Sequence, residues 1–203
     1  VIAGQMKREI VGKEIADIEV RQPKNLNMPV SEFVKTVKGK IISDVLGKGK
    51  WIFIELDSTY YMLINLGMGG DLLHYTSDHK LPEKRHFKLA FSDKTGYTIF
   101  FTDFCYIHLV PKSGLHEHRM TAELGISPTE EGFSLEFFKK LLDKKKTGVK
   151  SFLLDQKNVA GIGNVYIQDI PFEARLHPNR KISTLSDKEA EDLYNDIRNI
   201  LDR

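Results

Sequence analysis

Between residues 15 and 110 the chain is cut into short apolar runs, most of them of strand length, separated by turn-forming residues. The runs are 15–20, 34–45, 51–56, 60–65, 87–92, 97–102 and 106–110, with Asp57-Ser58 and residues 93–96 as turn chemistry between neighbours. Short strands at this spacing imply a β-sandwich or barrel, because each run buries only one face and needs partners on both sides. Ahead of them Ile2, Met6 and Ile10 recur every fourth residue and Gly12 follows, which reads as one leading helix with its stop. After about residue 112 the period changes. Ser134 precedes Leu135, Phe138, Leu141 and Leu142 at helical spacing, and Ser186-Asp187-Lys188-Glu189 is a capping box before Leu193, Ile197, Ile200 and Leu201. The expected fold is α+β: a β-sandwich with a leading helix over 1–115, then an all-helical domain over 116–203. A cleft between the two is the expected binding site.

The remaining composition narrows the setting. A single cysteine, Cys105, excludes an internal disulfide and any multi-cysteine zinc site within this chain. No apolar run approaches the roughly 20 residues of a membrane span, so the expectation is an intracellular protein without a membrane partner. The formal net charge of +2 is small, so a polyanion must be met by a local patch and not by a global field. The clearest patch is a lysine run (139, 140, 144, 145 and 146) that ends at Lys150. Such a run is commonly a solvated helix face, but this one leads directly into a glycine-bearing turn.

That turn is Ala160-Gly161-Ile162-Gly163-Asn164, between the apolar-periodic arms 153–159 and 165–172. Gly161 and Gly163 let the backbone come close to another molecule, and Asn164 suits the cap of a following helix. Loop amides ahead of a helix make a phosphate site, although a GxG pattern alone is equally an ordinary helix–helix turn. Pro171 sits inside the second arm, where it is expected to bend a helix near Ile170.

The segment LLDQKNVAGIGNVYIQDIPFEARLHP, preceded by KTGVK and followed by STLS, resembles the helix–two-turns–helix segment of the formamidopyrimidine-DNA glycosylase and endonuclease VIII family. GKGKWIFIEL, LINLGMGGDL, the strand near His86 and Phe101-Thr102-Asp103 continue the resemblance in order over nearly the whole chain. It implies DNA repair: a bifunctional glycosylase and abasic-site lyase that flips an oxidised base out of duplex DNA and cleaves through a Schiff base. The implied nucleophile is an N-terminal proline followed by a glutamate, an amine whose ordinary pKa suits attack near neutrality. Neither is in the sequence. The chain starts at Val1, about seven residues inside the family's first helix, and stops at Arg203 within a helical pattern, so both ends are expected to be cut. The family's zinc finger would follow Arg203, and no cofactor is expected within the chain itself.

The resemblance gives roles to particular residues. Lys50, in GKGKW, is the catalytic candidate, helping to bind phosphate and to protonate during sugar opening. Met68, in Leu66-Gly67-Met68-Gly69, would fill the hole left by a flipped nucleotide. His86, Lys150, Gly161, Gly163 and Asn164 would hold the backbone of damaged double-stranded DNA, bound by a monomer in the cytoplasm at the nucleoid. Two departures stand out. The family's Pro-Arg-Arg-Phe-Gly after the FTD-type residues is replaced by Phe104, Cys105, Tyr106, Ile107 and His108, so Ile107 or Tyr106 would have to act as the second wedge. The histidine before LGM is Asn65. Two other readings stay open: a catalytically silent relative that recognises damaged or abasic duplexes, and an RNA- or ribosome-associated protein using the same helical motif.

Overall fold

The computed structural model describes residues 2–77, 80–143 and 145–201, and the chain divides into two compact units, Val1–His118 and Arg119–Arg203. The first unit begins with α1 (Ile2–Ile10), whose Met6 and Ile10 are buried, and Gly12 ends it at φ +86°. Among the described residues eight strands follow: β1 (Ile15–Val20), β2 (Ile42–Lys48), β3 (Trp51–Leu56), β4 (Tyr60–Asn65), β5 (Asp71–Tyr75), β6 (Phe87–Phe91), β7 (Gly96–Phe100) and β8 (Tyr106–Pro111). They form two antiparallel four-stranded sheets, ordered β1-β6-β7-β5 and β2-β3-β4-β8. The inner faces of both sheets share one core with α1 and with α2 (Val30–Val37). In β3 that inner face is Ile52, Ile54 and Leu56, while Trp51, Phe53 and Glu55 alternate onto the other side.

The run at 34–45 is not one strand. Phe33 and Val37 lie one helical turn apart and are both fully buried, so packing makes α2 a helix, and pairing with β3 begins only at Ile42. Strand β5 carries no strong apolar signal because it is an edge strand whose side chains are largely exposed.

The second unit contains α3 (Leu135–Asp143), α4 (Val149–Leu154), α5 (Asp169–Glu173) and α6 (Asp187–Leu201). The protein is thus α+β, with two antiparallel sheets and helices. The second unit is not helices alone, since isolated β-bridges tie Ile126 to Val159 and Gly148 to Lys181. Phe133, Phe138, Phe152 and Tyr194 interlock at ring separations of 5.3–6.0 Å, and the Tyr194 hydroxyl donates to the Phe133 carbonyl at 3.0 Å. The capping box is formed reciprocally: the Ser186 amide donates to Glu189 Oε2 at 2.8 Å and the Glu189 amide to Ser186 Oγ at 3.3 Å. Among the described residues no helix is long and apolar enough to cross a membrane.

Pro171 does not bend its helix. The helix starts at Asp169, so the proline lies in the first turn, where a missing N–H costs nothing. Its carbonyl instead closes the C-terminus: Leu176 N–H donates to Pro171 O at 2.8 Å and Arg175 N–H to Phe172 O at 3.0 Å, the paired bonds of a Schellman motif. That motif places Arg175 at φ +54°, a conformation glycine adopts without the Cβ clash. Arg175→Gly is therefore expected to stabilise the protein by about 0.5–1 kcal/mol, read as a raised urea midpoint at unchanged slope. A lowered midpoint would show that the arginine side chain contributes more than its backbone costs.

Candidate functional site

Lys50 lies at the tip of the β2–β3 hairpin, beside the paired Lys48 and Trp51. It lines a cavity of about 320 Å³ with Ile2, Ala3, Gly47, Trp51 and Leu66, so the start of α1 and the hairpin tip face one space. The side chain reaches solvent, yet partial burial against these apolar walls lowers its pKa from the ordinary 10.5. No ion pair within the described residues opposes that shift.

The loop after β4 is built to turn one side chain outward. The Asn65 side-chain oxygen accepts from Gly67 N–H at 3.0 Å, and Gly67 and Gly69 take φ of +62° and +60°. Between them Met68 bridges to Asp103: its amide donates to Asp103 O at 2.8 Å and its carbonyl accepts from Thr102 N–H at 3.0 Å. Met68 is left 57% exposed, which rules out a core methionine. The wedge expected at Tyr106 or Ile107 is not there. Ile107 is buried in β8 opposite Ile64, and Tyr106 stacks on Trp51 at 6.1 Å. The exposed apolar side chain beside this bridge is instead Phe104, 60% exposed on a backbone at φ +56°, directly after the Asp103 that Met68 grips. A large apolar side chain on a left-handed, solvent-facing residue is uncommon and points to a contact surface.

His86 is fixed at the head of β6, where its amide donates to Ile99 O and its carbonyl accepts from Arg21 N–H, both at 2.8 Å. Its ring lies 4.9 and 4.3 Å from the rings of Phe100 and Phe101. Burial, then Lys24, lowers its pKa, so the ring is neutral at pH 7. Nδ1 is buried without a partner. A lone acceptor there is less costly than an orphaned donor, which assigns the proton to Nε2 and makes His86 a neutral hydrogen-bond donor.

In the second unit, α4 is followed by one turn over residues 156–161 and another over 164–168 before α5. Gly161 has φ +111°, but its amide already donates to Gln156 Oε1 at 2.9 Å, while Gln156 Nε2 donates to the carbonyls of Leu154 and Ile162. Gly161 therefore shapes the loop and offers no amide. Asn164 does not cap a helix directly: Ile167 N–H closes a turn onto Gly163 O at 3.0 Å, and α5 begins at Asp169. Asn164 is exposed, and the amides of Gly163, Asn164 and Val165 find no acceptor among the described residues. Lys150 is half-buried on the first turn of α4. In the lysine run, Lys139 pairs with Asp187 at 3.5 Å and Lys140 with Glu136 at 2.6 Å. Lys145, Lys146 and Lys150 have no such partner among the described residues, and Lys144, like Val1 and Arg203, lies outside them.

Residues 1–105 match the family described as formamidopyrimidine-DNA glycosylase N-terminal domain, and residues 124–203 match the formamidopyrimidine-DNA glycosylase H2TH domain. A formamidopyrimidine-DNA glycosylase of Streptococcus agalactiae is 34% identical over 199 residues, covering 97% of this chain and 72% of the relative. One from Pelotomaculum thermopropionicum is 35% identical over 200 residues, with the same two coverages of 97% and 72%. Among solved structures, the Lactococcus lactis enzyme in complex with DNA containing FAPY-dG superposes with a TM-score of 0.88 at 24% identity, over 99% of this chain and 76% of that one.

Proposed function

The chain belongs to the formamidopyrimidine-DNA glycosylase family, and from that membership we infer that it is a DNA-repair glycosylase acting on damaged duplex DNA. The observation that carries the reading is the pair Met68 and Phe104, two exposed apolar side chains held outward by one backbone bridge. Apolar wedges of this kind occupy the space of an unstacked nucleotide and offset part of the cost of flipping it. The groups that would hold the DNA backbone are of two kinds. His86 donates from Nε2 without charge, whereas Lys145, Lys146 and Lys150 add counterion release. Asn164 and the amides at 163–165 supply further donors to phosphate oxygens.

Strand cleavage by a Schiff base is the family-typical second activity. In the family the nucleophile precedes the first helix, and Ile2, Ala3 and Lys50 lining one cavity supports a role for Lys50 beside such a group. Lys50 then has the position to bind a phosphate or to donate a proton as the sugar opens. The alternative, a catalytically silent damage binder, would use the same wedges and backbone contacts without chemistry at Lys50.

Fluorescence anisotropy tests the reading. A duplex with one abasic site should bind about tenfold or more tighter than the intact duplex, and structured RNA should compete worse than either. RNA competing better than the abasic duplex would overturn it.

A further inference from the structure

The outer side of β8 carries a contact that the repair reading does not use. His108 alternates with the core residues Ile107 and Leu109 and so leaves β8 on the side away from the core. The 3₁₀ turn at Lys112–Glu117 brings the chain back, and His118 meets it there. His108 Nδ1 and His118 Nε2 stand 2.9 Å apart, with ring centroids 5.2 Å apart and ring planes at 83°. Two ring nitrogens this close can share a proton or serve as the two arms of a chelate. A tetrahedral ion holding both at about 2.0–2.1 Å needs nitrogens about 3.3 Å and centroids about 5.2 Å apart. The centroids already have that spacing, so parting the nitrogens by about 0.4 Å takes a tilt of the rings and no separation of them.

The surroundings suit such an ion. Both rings are half-buried, which leaves an approach from solvent. Trp51 lies 6.2 and 5.9 Å from them and Tyr106 lies 5.5 Å from His108, an apolar wall that limits competition from water. Burial keeps both rings neutral at pH 7, the state in which imidazole ligates. Among the described residues no third histidine, cysteine or carboxylate completes a cluster, so the remaining coordination positions would fall to water. We propose that His108 and His118 form a two-histidine site for a divalent transition-metal ion of the zinc and copper class, which clamps the 3₁₀ turn to β8. Imidazole selects these ions against magnesium and calcium, which take oxygen ligands. The site uses none of the residues assigned to DNA and stands independently of that reading. It also departs from the expectation of no cofactor within the chain.

Trp51 is the only tryptophan of the chain, and its place beside both rings makes it the probe. Cu²⁺ should quench its fluorescence saturably, and excess Zn²⁺, a d¹⁰ ion without redox chemistry, should compete and restore the emission. His108→Gln and His118→Gln should each raise the Cu²⁺ midpoint about tenfold or more. His116→Gln, at an exposed residue two positions away, should leave it within about twofold. Zn²⁺ should also raise the urea midpoint of the wild-type chain and of neither ligand variant, since the unfolded chain does not hold the two rings together. The ligand variants are independent, so a folding failure in one leaves the other as the test. Quenching that neither variant weakens, or that Zn²⁺ does not relieve, overturns the proposal. So does a wild-type urea midpoint that excess Zn²⁺ does not move.

Discussion

Gly67→Ala is expected to destabilise the first unit by about 2–4 kcal/mol and to abolish the preference for abasic over intact duplex. A Cβ on Gly67 would lie 2.2 Å from Asp103 O and 2.5 and 2.6 Å from the carbonyl carbon and oxygen of Phe104. All three are backbone atoms, so no side-chain rotation relieves the contact. The residue also sits at φ +62°, which alone costs a non-glycine residue about 1 kcal/mol. Gly39 supplies the control. Its φ is +81° with nothing within 4 Å of a built Cβ, so Gly39→Ala carries the backbone term without the clash. Urea unfolding should therefore show a loss about two to three times larger for Gly67→Ala than for Gly39→Ala. Equal losses would mean that the loop yields freely, and the Met68–Asp103 bridge would then not be what aims Met68 and Phe104. If the bridge parts without global cost, the DNA readout still detects it, because both exposed side chains are mounted on the loop segments that the bridge joins.

Much of this architecture could be read from residue order, for identifiable reasons. Short apolar runs bounded by Asp-Ser or Asp-to-Gly turns mark strands by length and punctuation, and β3, β4, β6 and β8 lie where those runs put them. The capping box at Ser186 and the stop at Gly12 are local chemistry and need no tertiary partner. The run at 34–45 misled because Val, Phe and Ile suit helix and strand alike. Burial of Phe33 with Val37 decided it, and burial is a property of the packed core. The second wedge was sought by position along the chain. What turns Phe104 outward is the left-handed backbone after Asp103, beside the bridge to Met68, thirty-five residues earlier in the sequence. Gly161 shows the same limit. Its spacing suggested an open amide, but the Gln156 side chain folds back and takes it. Lys50 was legible as a position, whereas its desolvation needed the cavity.

A pair of histidines that no sequence spacing announces should govern stability in mild acid. His108 Nδ1 and His118 Nε2 stand 2.9 Å apart, brought together by the 3₁₀ turn at Lys112–Glu117 that folds back over β8. Trp51 lies 6.2 and 5.9 Å from the two rings, and Tyr106 lies 5.5 Å from His108. One nitrogen must donate and the other accept, so the contact is kept only while at least one ring is neutral. Burial, then the charge that His118 would carry, pushes His108 down to about 4, and burial lowers His118 as well. The unfolded chain, with histidine near 6.5, binds protons that the folded chain refuses. Stability is therefore full above about pH 6.5 and falls as pH drops toward 4, by roughly 2–3 kcal/mol for His108. Two ion-paired carboxylates stay out of most of that window: Asp93, held near 2 by Lys13 and Thr95, titrates below it, and Glu19, paired with Arg21 and Arg85, lies below its ordinary 4.5. His86 shares the direction of the effect, so the wild-type slope alone does not identify its source. His108→Gln does, since it removes the titrating ring and keeps a polar side chain opposite His118. Urea unfolding at pH 7 and pH 4.5 should show most of the acid loss gone in this variant, with the remainder assigned to His86 and His118. A slope unchanged by His108→Gln would place the acid sensitivity elsewhere and leave the 2.9 Å contact without energetic weight.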